Sequence, residues 1–228
     1  MNTTRRTGIL GGRFDPVHLG HLETAIVARQ VLSLDQVLLL PSRVSPHRAT
    51  PAHATNADRM AMVRLATNDD ASLTPSDLEL ETDAPSYTAV TLERLHARGF
   101  LPTQLFFILG ADAFAEIATW RHYPAVLDGA HFVIISRPGH PVAELTEALP
   151  DLRGRIHCVG GEPGRVIPDT DTSPLVLLID AVTPDISSTR IRERLSRGEP
   201  LTGLVPTSVS TYIEHHRLYE PQRDRQLE

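Results

Sequence analysis

The sequence predicts an α/β fold in which a single domain is built on a mostly parallel sheet with helices on both faces. Short apolar runs, each followed by Gly, Pro or Ser, alternate along the chain with stretches of helical periodicity. Such alternation is typical of βαβ units, whose right-handed crossovers place successive strands parallel in one sheet. A length of 228 residues is sufficient for one large domain with its own core.

The elements follow in chain order from these patterns. The predicted strands are Gly8–Gly11, Gln36–Leu40, Leu105–Leu109, His131–Ser136, Arg155–Val159 and Leu175–Ile179. The predicted helices are Leu19–Leu32, Ala57–Asn68, Tyr87–Arg98, Ala113–Trp120, Val142–Ala148, Ser188–Ser196 and Pro206–His216. No linker divides the chain, so we assign residues 1–220 to one domain and expect 221–228 to be a frayed, disordered tail. In such a sheet, ligands bind beyond the carboxyl ends of the strands, near the point where the strand order reverses.

The composition excludes several chemistries. All 22 basic residues are arginine, which excludes the lysine-dependent P-loop, protein-kinase and Schiff-base enzymes. The net charge of −6 argues against a nucleic-acid binder, and the single Cys158 excludes an internal disulfide and a Cys-rich zinc site. The first residues lack a secretory apolar region, and no apolar run is as long as a membrane span. We therefore expect a cytoplasmic protein with no nucleic-acid or membrane partner.

The strongest functional signal follows the first predicted strand, in the run GILGGRFDPVHLGHLETAIVARQ. Gly11 and Gly12 allow a bulky ligand to approach the backbone, and His18 and His21 lie three residues apart at a helix start. A helix N-terminus favours an anion, and two imidazoles beside it can donate hydrogen bonds to phosphate. Phosphate binding is the favoured interpretation, and the alternatives are a plain packing role and half of a metal site. The nearby residues that could complete such a metal site are Asp15, His47 and His53.

The motif G-G-x-F-D-P-x-H-x-G-H resembles the signature of the nucleotidylyltransferase superfamily, whose members carry an HxGH or TxGH motif. Within that superfamily, the run is similar to the bacterial nicotinate-nucleotide adenylyltransferases. The resemblance implies a Rossmann-like domain of the HxGH nucleotidylyltransferase type, in which this motif binds ATP. The residues that it places at the ATP site are Gly11, Gly12, Phe14, His18, Gly20 and His21. Arg13 departs from the family pattern, in which a small hydroxyl residue is usual at this position.

Two later segments resemble the substrate site of the same family. A proline-rich loop carries His47 and Arg48, which the resemblance places near the substrate phosphates, although lysine is usual where Arg48 stands. Arginine keeps the charge and adds a bidentate fork, and a solvated basic loop is the alternative. Ser86 is a natural N-cap for the helix that follows it. The resemblance assigns Ser86, Tyr87 and Thr88 to the region that binds the pyridine carboxylate.

Polar and aromatic residues also follow the next two predicted strands. Gly110 and Asp112 come after Leu105–Leu109, and the Asp112 carboxylate either caps the next helix or accepts hydrogen bonds from ribose hydroxyls. Trp120 either packs in the core or, by the resemblance, stacks on the pyridine ring. Arg137 brings a basic residue to the same edge of the sheet, and the resemblance places Gly110, Asp112 and Arg137 at the ATP site.

The segment ISSTRIR precedes and opens the last helix but one. Its serines and Thr189 can cap that helix while their hydroxyl and N–H groups bind phosphate, and a cap beside a solvated arginine face is the alternative. The family carries a similar I-S-S-T-x-I-R motif, which is held to bind the ATP phosphates. The resemblance therefore adds Ile186, Ser187, Ser188 and Arg192 to the ATP site.

The resemblance implies a reaction in which the 5′-phosphate of nicotinate mononucleotide attacks the α-phosphorus of ATP. The products are deamido-NAD and pyrophosphate, and no covalent enzyme intermediate is needed. His18, His21 and Arg192 are the expected catalytic residues, and Mg²⁺ is expected to arrive on the ATP phosphates rather than at a protein metal site. ATP and nicotinate mononucleotide are the expected partners of a monomer or homodimer. The alternatives are transfer to another acceptor, such as the amide nucleotide or phosphopantetheine, and a non-catalytic nucleotide sensor.

Overall fold

The computed structural model describes residues 5–44, 50–136, 142, 145–159, 173–181 and 183–220. Its strands are β1 (Thr7–Gly12), β2 (Gln36–Pro41), β3 (Leu73–Pro75), β4 (Leu105–Gly110), β5 (His131–Ile135), β6 (Ile156–Val159) and β7 (Val176–Ile179). Its α-helices are α1 (Leu19–Leu32), α2 (Asn56–Thr67), α3 (Thr88–Ala97), α4 (Ala111–Phe114), α5 (Leu145–Ala148), α6 (Ser188–Ser196) and α7 (Thr207–His215). The predicted tail 221–228 and the predicted site residues His47, Arg48 and Arg137 lie outside the described residues.

The strands form one seven-stranded sheet in the order β3-β2-β1-β4-β5-β7-β6. Every neighbouring pair is parallel, which confirms the predicted α/β class. The chain runs from β1 outward to β2 and β3, and then returns to place β4 on the other side of β1. The strand order therefore reverses between β1 and β4, and the carboxyl ends of these two strands are where such a sheet binds its ligands.

Helices cover both faces of the sheet, as predicted. On one face, buried side chains of α1, α2, α6 and α7, among them Ala25 and Ile191, pack against the strands. On the other face the cover comes from α3, α4 and α5, with Leu92 and Phe114 in the core. Because both faces are covered, the central strands are almost continuously apolar, as the short runs in the sequence indicated.

Helices α1 and α6 have the predicted bounds, but the predicted helix Ala113–Trp120 is wrong. The α-helix there ends at Phe114, and a 3₁₀ turn over Ile117–Thr119 follows before Trp120 turns extended. Phe114 and Ile117 are fully buried and three residues apart, and Trp120 packs against the same core three residues further on. A repeat of three matches the 3₁₀ helix better than the α-helix, which explains the difference.

Two smaller predictions also need correction. Strand β3 was not predicted, because its three residues end in Pro75 and are too few to show a period. Helix α5 begins at Leu145 rather than Val142. Within the described part of the chain, no helix combines the length and the apolar character that crossing a membrane requires.

Candidate active site

A cavity of about 570 Å³ opens at the carboxyl ends of β1 and β4, where the strand order reverses. Its wall is formed by the residues after β1, the start of α1, the end of β4, the start of α3 and the segment that leads into α6. The predicted site residues that line it are Gly11, Gly12, Phe14, His18, His21, Ser86, Thr88, Gly110, Asp112, Trp120, Ile186, Ser187, Ser188 and Arg192. Gly20 and Tyr87 lie outside this lining.

Gly20 has a role in packing the histidine pair. A Cβ atom at Gly20 would lie 3.1 Å from Nδ1 and 3.3 Å from Cε1 of His18, so a larger residue would push the ring away. Gly12 serves Phe14 in the same way, because a Cβ atom there would lie 3.1 Å from the Phe14 ring. The Phe14 ring is buried and meets His21 edge-on at a centroid distance of 4.9 Å. These glycines therefore position side chains at the cavity in addition to admitting a ligand.

The two histidines form one stacked unit at the start of α1. Their ring centroids are 3.6 Å apart with an interplanar angle of 22°. The His18 backbone N–H donates to Nδ1 of His21 at 3.2 Å, which caps the helix. A neutral His21 whose Nδ1 accepts this bond carries its hydrogen on Nε2. The ring is therefore oriented as a hydrogen-bond donor through Nε2.

A buried carboxylate, Asp15, organises the loop between β1 and α1. It is 1% exposed and accepts hydrogen bonds from the backbone N–H groups of His53 at 2.8 Å and Ala54 at 3.1 Å. The Tyr219 hydroxyl donates to its Oδ1 at 2.9 Å. Burial alone would raise the pKa of Asp15, but these donors and the charge of Arg192 together hold that pKa below its ordinary value. Asp15 is therefore an anion fixed at the floor of the cavity.

Two guanidinium groups lie near this carboxylate, and the charge of a third, Arg59, interacts with it. Arg13 Nη2 lies 3.6 Å from Asp15 Oδ2, and Arg192 Nη1 lies 4.0 Å from the same oxygen. Arg192 Nη1 also donates to the Asp15 carbonyl at 2.7 Å, which ties α6 to the loop after β1. Arg59 is fully buried and donates to the carbonyls of Arg13 and Ser42. Burial lowers the pKa of Arg59, and the Asp15 charge opposes that shift.

The N-terminus of α6 is capped as the sequence predicts. Ser187 is the N-cap residue, and its Oγ accepts a hydrogen bond from the Arg190 N–H at 3.2 Å. Ser188 Oγ donates to the Pro16 carbonyl at 2.8 Å, which fixes the start of α6 beside the start of α1. Two helix N-termini therefore meet at the cavity, and both favour an anion.

The opposite side of the cavity is built by the start of α3 and by Trp120. The N-cap of α3 is Tyr87 rather than the predicted Ser86. The Ser86 hydroxyl instead accepts the Arg43 N–H at 2.9 Å, which joins this segment to the residues after β2. The Tyr87 ring lies beneath the Arg121 guanidinium at 4.9 Å, outside the lining. Thr88 lines the cavity at the first position of the helix.

Trp120 and Asp112 contribute an aromatic ring and a carboxylate to the cavity. The Trp120 ring is partly buried and meets Phe107 edge-on at 6.3 Å, so it is held by the core while it lines the cavity. The N-cap of α4 is Gly110, so Asp112 does not take the capping role that was one of its two alternatives. Its carboxylate is exposed and lines the cavity.

Glu79 is a buried acid that sequence reasoning did not identify, and it lies behind the start of α3. Its Oε1 accepts the Thr91 hydroxyl at 2.7 Å, and the side chain lines the cavity. Burial raises the pKa of Glu79, and hydrogen bonds from Thr91 and Ser86 oppose the shift only in part. Arg59 also escaped identification, although its place among the apolar positions of α2 was a usable signal. For Asp15, the sequence indicates only a possible metal ligand.

The raised pKa of Glu79 gives a prediction about stability. A group whose folded-state pKa is raised contributes stability below its ordinary pKa of 4.5, and this contribution is lost as the pH rises through the folded-state value. We therefore expect Glu79→Gln to have a higher melting temperature than the unsubstituted protein at pH 8, by about 2 °C or more, and little advantage at pH 4. Thermal unfolding at both pH values measures this. The exposed Glu93→Gln is the control, and an equal effect of both substitutions at pH 8 would contradict the assignment.

The metal-site alternative includes His47, which lies outside the described residues. Among the residues that the structure describes, no group of three or more His, Cys, Asp or Glu side chains is placed to hold a metal ion. The carboxylate of Asp15, one of the candidate metal ligands, accepts hydrogen bonds from two backbone N–H groups and from the Tyr219 hydroxyl.

The cytidylyltransferase-like family model matches residues 9–194, which include the starts of α1, α3 and α6. A relative from Desulfatibacillum aliphaticivorans, named "Probable nicotinate-nucleotide adenylyltransferase", is 38% identical over 94% of this chain and 99% of its own. A relative of the same name from Roseiflexus castenholzii is 39% identical over 95% of this chain and 99% of its own. The chain belongs to the nicotinate-nucleotide adenylyltransferase family.

The fold of this family member is similar to that of solved structures. The nicotinic acid mononucleotide adenylyltransferase of Plasmodium falciparum, solved in complex with NaAD, superposes with a TM-score of 0.69 at 17% identity. The alignment covers 94% of this chain and 97% of that one. The same enzyme in complex with APC gives a TM-score of 0.68. This chain therefore has the Rossmann-like fold that its motifs imply.

Proposed function

We propose that the protein transfers the adenylyl group of ATP to nicotinate mononucleotide, which forms deamido-NAD and pyrophosphate in NAD biosynthesis. The observation that carries the proposal is a single cavity with two chemically different sides. Stacked histidines and two helix N-termini lie on one side, and Trp120 with the start of α3 lies on the other. A reaction between ATP and a pyridine nucleotide requires a cavity that binds a polyphosphate on one side and a pyridine ring on the other. The names of the relatives support the same activity.

On the phosphate side, the proposed roles follow from the donors. His21 directs Nε2–H at the phosphoryl group that is transferred, and His18 contacts the same phosphates from within the stack. Ser187, Ser188 and Arg192 hold the leaving pyrophosphate at the N-terminus of α6. Because the attacking phosphate is already an anion, the reaction requires no general base. Catalysis comes from the alignment of the two substrates and from neutralisation of charge on the phosphoryl oxygens.

The remaining residues orient the rest of the substrates. Gly11 and Gly12 let the nucleotide approach the end of β1, and the Asp112 carboxylate accepts hydrogen bonds from ribose hydroxyls. The pyridine ring stacks on Trp120, and its carboxylate faces the N–H groups around Thr88 at the first turn of α3. A carboxylate suits this helix end better than an uncharged amide, which favours the acid nucleotide over the amide nucleotide.

We further propose that Mg²⁺ enters with ATP, bound to its phosphates, and reduces the repulsion between the two anionic substrates. The Asp15 carboxylate on the phosphate side is occupied by protein donors, and Glu79 is buried behind the start of α3. Among the described acids of the lining, Asp112 and Glu116 are the exposed ones. The protein residues act on the phosphates themselves.

Pyrophosphate release with ATP and a panel of acceptors tests the proposed function. We expect turnover with nicotinate mononucleotide, weaker turnover with the amide nucleotide, and none with phosphopantetheine or without an acceptor. Similar rates with the acid and amide nucleotides would contradict the acceptor preference alone. Binding of ATP without pyrophosphate release from any acceptor would contradict the enzymatic role and favour a nucleotide sensor.

A further inference from the structure

Among the described residues that line the cavity, Arg13 is a cationic side chain to which the proposed mechanism gives no role. Arg13 follows β1 directly and lines the cavity beside Gly12 and Phe14. Its side chain is 19% exposed, so it is neither a core residue nor a free surface arginine. Its conformation is held by Nη2, which donates to the Pro51 carbonyl and lies 3.6 Å from Asp15 Oδ2.

The hydrogen bonds of Arg13 leave most of its donors available. A guanidinium group has five N–H donors, and within the described part of the chain only Nη2 of Arg13 donates a hydrogen bond. Nε and Nη1 thus have no hydrogen-bond acceptor among the described residues. A guanidinium group that is held by one nitrogen can use its other N–H groups to donate hydrogen bonds to two oxygens of a phosphate.

The charges around Arg13 also favour an anion. The charges of Arg13, Arg59 and Arg192 interact with the carboxylate of Asp15, and Arg13 and Arg192 lie near the same oxygen of it. The Glu79 charge raises the pKa of Arg59, and His53 Nδ1 lies 3.4 Å from Asp15 Oδ2. Around Asp15, positive charge therefore exceeds negative charge, while the other described acids of the lining, Asp112 and Glu116, are exposed. Such an excess is unfavourable until an anion enters and compensates it.

We propose that Arg13 is a phosphate-binding residue of this chain, which donates to the phosphate of a bound nucleotide beside Asp15. The Arg13 side chain extends toward segment 50–55, whereas Arg192 extends from α6. The two guanidinium groups would therefore contact the substrates from two directions. This inference rests on the proposed function, because it assigns a substrate contact within the same cavity. Arg13 adds a positive charge in a chain that has no lysine for phosphate binding.

Steady-state kinetics of Arg13→Gln tests the proposal. A glutamine amide can still donate to the Pro51 carbonyl, but it lacks the charge and the fork. The matched control is Arg190→Gln, which removes an exposed arginine that pairs with Asp185 outside the cavity lining. We expect Arg13→Gln to raise the KM of one nucleotide by about 10-fold or more, with a smaller change in kcat, and the control to leave both KM values within about twofold.

The two KM values identify the phosphate. A rise in the acceptor KM alone assigns Arg13 to the mononucleotide phosphate, and a rise in the ATP KM alone assigns it to ATP. KM values equal to those of Arg190→Gln for both nucleotides would overturn the proposal. If Arg13→Gln does not fold, Arg13→Lys replaces it, because it keeps a charge that can bind one oxygen. The proposal then predicts an intermediate KM, whereas a purely structural role predicts an unchanged KM with a lower melting temperature.

Calorimetric titration with ATP in the absence of acceptor separates this inference from the proposed function. If the unsubstituted protein releases pyrophosphate and Arg13→Gln has unchanged KM values, only the Arg13 proposal fails. If the unsubstituted protein shows no turnover with any acceptor, the proposed function fails. In that case, a second titration with nicotinate mononucleotide alone completes the test. Weaker binding of either nucleotide by Arg13→Gln than by Arg190→Gln still supports Arg13, and equal binding of both nucleotides overturns it.

Discussion

His21→Ala is expected to lower kcat by about 10²–10³-fold, because it removes a donor that contacts the transferred phosphoryl group mainly in the transition state. The hydrogen bond from His18 N–H to His21 Nδ1 fixes the orientation of the ring, so no other side chain of the stack reproduces this donor. The KM for ATP should change much less than kcat, since Arg192 and the N-terminus of α6 retain the pyrophosphate. Initial rates of pyrophosphate release over a range of ATP concentrations measure both constants.

The control for this substitution is His215→Ala, an exposed histidine at the end of α7 that lies outside the cavity lining. His21→Ala should keep a cooperative unfolding transition, because the loss at the start of α1 is that of a cap, about 1 kcal/mol. A kcat within threefold of that of His215→Ala would remove His21 from the mechanism. That result would leave the fold and the family membership unaffected.

Asp15→Asn is expected to lower both the free energy of unfolding and the activity. The substitution removes the charge that compensates Arg13 and Arg192 at a site 1% exposed, and loss of one partner from such a buried cluster costs about 3–5 kcal/mol. Activity should fall with it, because the Asp15 carboxylate fixes the loop before the histidines and pairs with Arg192. Urea unfolding at pH 7 measures the free energy, and pyrophosphate release measures the activity.

The pH dependence of this effect has a definite sign. The folded-state pKa of Asp15 lies below its ordinary value of 3.8, so its stabilising contribution is present at neutral pH and is lost as the pH falls through the folded-state pKa. The difference between Asp15→Asn and the unsubstituted protein should therefore shrink in acid. Tyr219→Phe is the matched smaller change, because it removes one donor to Asp15 and should cost about 1 kcal/mol. Equal effects of the two substitutions at pH 7 would contradict the charge assigned to Asp15.

The sequence predicted the parallel sheet, most helices and most of the cavity lining because local patterns carry that information. Apolar runs mark strands that are buried on both faces, and the HxGH and ISST segments begin helices whose N-termini meet at one edge. The predictions were less accurate where long-range packing determines the local structure. The 3₁₀ turn before Trp120 follows from core spacing, and the Ser86 hydroxyl bonds to Arg43, 43 positions earlier in the chain, instead of capping α3.

The network of buried charges is the part of the site that the sequence does not predict. The hydrogen bonds of Asp15 come from His53 and Ala54 after α1 and β2, and from Tyr219, which is 204 positions away in the chain. Sequence periodicity cannot show that such distant donors converge on one carboxylate. Glu79 is similar, since only the packing of α3 brings the Thr91 hydroxyl to it. These residues lie behind the ligand-facing side chains, which are the ones that motifs reveal.

The fate of an isotopic label in the α-phosphate of ATP tests the central claim most directly. With nicotinate mononucleotide as acceptor, we predict that all transferred label appears in deamido-NAD, in equal amount to the pyrophosphate released, and that none becomes bound to the protein. His21→Ala should slow the appearance of the label without changing its destination. Label that stays in ATP, or that appears in AMP or on the protein instead of the dinucleotide, would contradict direct adenylyl transfer at this cavity.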